Sequence, residues 1–258
     1  MSFSKFALDT ANKLRPVLTK IVPAGLLSAV KAKIVEKNTN SLSNVQIEPF
    51  DKSKYDRGIN LIGNIRGDNG LGQSTRLIAD IIDKSEIPFT INNFFVPPGG
   101  SMTDKSYDYK ITDMASYGVN VIHVNASEFT LCYMEYGNKL WDYRYNIAYW
   151  LWELEEFPEE WLNNINLVDE IWTPAEFISN TLRKYTDKPV TTVPYCVTAP
   201  TDDKYDRKYF NLPEDKFLFL MMFASGSIME RKNPLGTIEA FKKAFDKENK
   251  DVGIVIKI

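Results

Sequence analysis

The chain has 258 residues, 44% of them apolar, enough for a substantial core in one large domain or two modest ones. Lys and Arg number 31 against 34 Asp and Glu, a net charge of -3 and a pI near 5.4, which leaves no bulk electrostatic case for a nucleic-acid partner. The two cysteines, Cys132 and Cys196, have neither metal-ligand nor redox spacing, and with no signal peptide the expectation is a reducing cytosol without a disulfide framework.

Residues 1–57 read as an N-terminal helical segment followed by a linker. Within residues 3–34, Phe3, Phe6, Leu14, Val17, Leu18, Ile21, Leu26, Leu27, Val30 and Ile34 recur at helical spacing, interleaved with Lys5, Lys13, Arg15, Lys20, Lys31 and Lys33 and broken at Pro23. Two uses fit. The ordinary one is a helical stripe packed on the following domain; the other is an interfacial helix pair making a peripheral contact with the inner face of a membrane. No apolar run reaches the roughly 18 residues a spanning helix needs. The stretch 36–57 is polar and turn-rich, as a linker would be.

From Gly58 strands and helices alternate: GINLIG, a helix from about Gln73 to Lys84, PFTINNF, GVNVIHVN, a helix around Glu128 to Gly137, and NIAYWLW. A helix from Pro158, DEIWT, a helix from Pro174 to Tyr185, and PVTTVPY follow. That alternation predicts a doubly wound, Rossmann-like α/β domain over 58–198. A polar connector leads to a second unit over 199–258, in which KFLFLMMF reads as a fully buried strand, Asn233 to Phe245 as a helix and VGIVIKI as another strand. One βαβ unit cannot close a doubly wound sheet, so this second Rossmann-like unit is expected to be incomplete.

Chemistry concentrates in four places. In GNIRGDNGLGQSTRL, Gly63 ends a strand and Gly70, Leu71, Gly72 and Gln73 open a helix, where backbone N–H groups and the helix dipole suit an anion. It is not a dinucleotide fingerprint, because Thr75 stands where the third glycine belongs, and no Gly-Lys-Ser/Thr makes it a P-loop. His123, the only histidine, ends a strand at the same sheet edge. AYWLWELEEFPEEW sets Trp150, Trp152 and Trp161 beside Glu153, aromatic faces and carboxylates that suit a sugar. SGSIMERKNP places Arg231 and Lys232 before a helix with Pro234 in its first turn, cations able to neutralise a diphosphate.

As a set, GLGQSTRLIADII, VNVIHVNASEF, AYWLWELEEFPEEW, VDEIWTPAEFISNTL, VTTVPYCV and ERKNPLGTIEAFKKAF resemble the retaining glycosyltransferases of family four, which have the GT-B fold. The likeness spans about Gly58 to Ile258 and is nearest to the bacterial branch that builds cell-surface polysaccharides. It implies two Rossmann-like domains facing across a cleft, acceptor on the first and nucleotide sugar on the second. It also implies a hexosyl transfer with retention, from a nucleotide diphosphate sugar to a hydroxyl of a glycan or lipid-linked acceptor, with no cofactor and no obligatory metal. By the same resemblance, Gly70, Leu71, Gly72 and Gln73 approach the donor phosphates. His123 matches a cleft histidine near the transferred sugar and Glu153 falls in the WELE stretch bordering the cleft, its role unassigned; these two are the catalytic candidates, and Asn125 and Trp152 join the substrate-binding set. Ser227, Arg231 and Lys232 lie in the diphosphate loop.

Family members continue well past the position of Ile258, and Ala224 stands where an acidic residue is expected. The resemblance therefore implies a chain truncated in its donor domain and, alone, nearly inactive. Two alternatives stand beside the enzyme: a non-catalytic GT-B module that binds a glycan, a lipid-linked acceptor or a partner subunit, and a nucleotide-sugar epimerase of the same architecture.

Overall fold

The computed structural model describes residues 42, 45–96, 101–198, 201–223 and 229–258. They divide into two compact units, with the break between Val197 and Thr198. The amphipathic stripe expected over residues 3–34 lies outside the described residues.

The first unit is a Rossmann-like α/β fold. Its six strands are β1 (Asp56–Gly63), β2 (Phe89–Asn93), β3 (Tyr117–His123), β4 (Tyr145–Tyr149), β5 (Glu170–Thr173) and β6 (Val190–Thr192), all parallel in the order β2-β1-β3-β4-β5-β6. Parallel strands need cover on both faces, and the side-chain period of two supplies an apolar set to each. Leu61, Val121 and Ile147 pack on one side with Ile78, Ala79 and Ile82 of helix α1 (Gly70–Lys84). Ile62, Ile122, Ala148 and Ile171 pack on the other with Phe129 and Cys132 of helix α2 (Ala126–Tyr136). Two shorter helices, α3 (Asn138–Trp141) and α4 (Glu176–Leu182), are also present among the described residues.

Two expectations for this region change. The helix expected from Pro158 is a 3-10 helix over Glu159–Leu167, closed by bonds such as Trp161 N–H to the Pro158 carbonyl. Asn164 explains part of the tightening: its amide accepts from Thr130 Oγ1 and donates to the Ala126 carbonyl, so the segment winds to suit that anchor. The end of the expected linker is not free chain. Glu48 accepts from Tyr143 N–H, Asp51 N–H donates to the Tyr143 carbonyl, Asn138 Nδ2 donates to the Gln46 carbonyl, and Val45 and Ile47 pack on the core.

The second unit holds β7 (Phe217–Met222), a short helix α5 (Met229–Lys232), α6 (Pro234–Ala244) and β8 (Val252–Lys257), with β7 and β8 parallel. Phe241 and Phe245 at the end of α6 pack on Phe219 at 5.7 and 5.4 Å between ring centroids. The expectation that β7 is fully buried is wrong: Phe217, Leu220 and Met222 are 66%, 63% and 61% exposed. Two strands and the helix packed on Phe219 are too little structure to cover apolar side chains on both faces.

Candidate functional site

The order β2-β1-β3 reverses direction at β1: the chain leaves it for β2 on one side and finds β3 on the other. At such a switch point the loops leaving neighbouring strands part, and a crevice opens at the carboxyl edge. Gly63 and His123 are register partners there, each the last residue of its strand.

The loop from Gly63 to α1 is built for close approach. A Cβ on Gly72 would run into the Gly67 carbonyl, whereas one on Gly70 would meet open space. Asn69 caps α1, its Oδ1 accepting from Gly72 N–H at 2.9 Å and its carbonyl from Gln73 N–H at 2.9 Å. Of the four amides expected to face an anion, two are thus committed to the cap, and Gly70 and Leu71 carry what remains. Arg76 pins the loop from behind, donating from Nη1 to the carbonyls of Ile65 (2.8 Å) and Gly67 (3.0 Å) and pairing with Asp104 at 3.3 Å. Gln73 lends its side-chain oxygen to Arg76 Nη2 at 3.3 Å.

His123 lies under this loop, 2% exposed. Its Nδ1 is 3.2 Å from Thr75 Oγ1, its Nε2 is 2.8 Å from the Tyr195 hydroxyl, and its ring stacks on Tyr149 at 5.0 Å. Burial pushes its pKa down to about 4, so the ring is neutral at pH 7. Burial also raises the Tyr195 phenol to about 12, opposed by its hydrogen-bonding contacts with Ser74 and Tyr149. With both nitrogens engaged, His123 is a buried organiser and poorly placed as a proton acceptor for a ligand. Sequence reasoning missed Tyr149, Tyr195 and Arg76. Tyr149 had a signal, since it ends β4 at the same edge as His123; Tyr195 and Arg76 had none without strand order.

The other candidates are distributed more widely. Asn125 Oδ1 accepts from Leu151 N–H at 3.3 Å, tying the loop after β3 to the loop after β4. Trp150 is fully buried between Phe129 and Phe157 and is part of the core. Trp152 is half-buried, its Nε1 donating to the Glu156 carbonyl at 2.7 Å and its ring set edge-on to Trp161 at 5.0 Å. Glu153 is exposed beside it. Ser227 lies outside the described residues; Arg231 and Lys232 fall in α5 of the second unit, where Lys232 is exposed. Asn233 then turns the chain with φ 46° and caps α6, accepting from Gly236 N–H at 3.2 Å.

Among the described residues no group of three or more His, Cys, Asp or Glu could hold a metal ion, and no helix is long and apolar enough to cross a membrane. No family model matches the chain, and no curated protein matches it either.

Proposed function

We propose that the chain is a retaining glycosyltransferase of the family-four type with GT-B architecture, or the N-terminal part of one. It would move a hexose from a nucleotide diphosphate sugar to a hydroxyl of a glycan or lipid-linked acceptor in polysaccharide assembly. The observation that supports this best is the meeting of the glycine loop and His123 at the β1/β3 switch point of a Rossmann-like sheet. In this reading Gly70 and Leu71 offer N–H groups to the diphosphate, stabilising the negative charge that grows on the leaving group. His123, sealed and neutral, holds the loop rather than taking the acceptor's proton. That division of labour suits a front-face route in which the leaving phosphate accepts the proton itself.

The non-catalytic module is a second reading, favoured by one observation: the only histidine is engaged internally by Thr75 and Tyr195. A screen of UDP-, GDP- and ADP-hexoses against the chain with glycan acceptors separates the two. Saturable binding of a nucleotide diphosphate sugar, or a product with the donor's anomeric configuration, supports the transferase reading; binding of a glycan acceptor with no binding of any donor supports the module. Neither binding nor turnover with any donor contradicts the transferase reading.

A further inference from the structure

The hydrogen bonds of the cluster beneath the glycine loop run in one direction. Thr75 Oγ1 lies 2.7 Å from the Leu71 carbonyl, one helical turn back, and a hydroxyl has a single hydrogen to give. That hydrogen goes to Leu71. Oγ1 therefore meets His123 Nδ1 with a lone pair, so Nδ1 carries the imidazole proton. Nε2 is then bare, and the Tyr195 hydroxyl donates to it across 2.8 Å. Three bonds run one way: Tyr195 to His123, His123 to Thr75, Thr75 to Leu71.

The two ends of this chain matter. Leu71 sits between the two glycines that open α1, in the part of the loop whose amides remain for a ligand. Tyr195 lies three residues before Thr198, where the second unit starts. A parallel tie holds the same stretch, since the Tyr149 hydroxyl donates to the Val193 carbonyl at 2.6 Å while its ring stacks on His123.

We propose that Tyr195 is a positioning residue: through His123, held as the Nδ1–H tautomer, it ties the glycine loop to the segment that joins the two units. A shift of that segment is then felt at Leu71, and a ligand that moves Leu71 is felt at the joining segment. Every link lies within the first unit, so the inference does not depend on which ligand the loop takes.

The single histidine makes the test direct, because its ring nitrogens give the only imidazole signals in a long-range proton–nitrogen NMR spectrum of the full chain. The wild type is expected to show a neutral ring protonated on Nδ1. Tyr195→Phe keeps the ring but removes the donor, and is expected to move the Nε2 resonance toward that of a bare, unbonded nitrogen while Nδ1, facing Thr75, stays protonated. It should also speed amide hydrogen exchange over residues 71–75 by roughly fivefold, the factor carried by one neutral hydrogen bond. Tyr149→Phe removes the parallel tie and is expected to leave the Nε2 resonance as it was. An Nε2–H tautomer in the wild type overturns the proposal. So does a Tyr195→Phe protein with an unchanged imidazole spectrum, or one whose faster exchange is equal in β1 and β3 and thus only a global loss of stability.

Discussion

Burial turns His123 from a titrating group into a neutral one. A folded pKa of about 4 against 6.5 for the free side chain means that the unfolded chain takes up a proton first as pH falls. The stabilisation is present above pH 6.5 and is lost as pH drops toward 4. Between pH 6.5 and about pH 5, before most carboxylates titrate, the loss should be about 2 kcal/mol in urea unfolding, and His123→Gln should remove that slope. Gly72 makes a sharper steric case. Its missing Cβ is the space the Gly67 carbonyl occupies, so Gly72→Ala should cost about 1–3 kcal/mol. Gly70→Ala, facing open space, should be neutral within about 0.5 kcal/mol. Equal costs at the two positions would contradict the loop geometry. The glycines and His123 were legible as candidates because strand ends and helix starts announce themselves in sequence. That Tyr195 donates to His123 was not, since it depends on β6 returning to the same edge two strands beyond β4.

At the scale of elements, the order of strands is held by more than apolar faces. Asn60, Asn120 and Asn146 are register partners on β1, β3 and β4, each at most 2% exposed. Asn60 Nδ2 donates to Asn120 Oδ1 at 2.9 Å, and Asn120 Nδ2 to Asn146 Oδ1 at 2.8 Å. A slip of one residue in any of the three strands would throw its asparagine to the opposite face, so the ladder penalises the wrong register. Asn120→Leu strands amide groups of both neighbours and should cost about 2 kcal/mol or more in denaturant unfolding; a cost under about 0.5 kcal/mol would mean the ladder is incidental. Alternation of turn residues with apolar runs was enough to locate the eight strands of the described residues, because parallel strands are continuous apolar segments. It could not locate Asn164, whose side-chain bonds to α2 hold the 3-10 turn, nor show that Phe217, Leu220 and Met222 are exposed, which depends on what packs beside them.

For the whole molecule, composition excluded more than it assigned. A net charge of -3 argues against nucleic acid, and the functional assignment rests on chemistry gathered at one edge of the first unit's sheet. The half of the expected site that includes Arg231 and Lys232 belongs to the second unit, so the first unit alone has to show that its loop meets a donor. The decisive measurement is a backbone amide NMR titration of the full chain with UDP- and GDP-hexoses. The expected result is a saturable shift of the Gly70 and Leu71 amides and of the His123 ring, lost in Gly72→Ala. Amides at residues 70–73 that stay still with every nucleotide diphosphate sugar would contradict a donor-phosphate role for the loop.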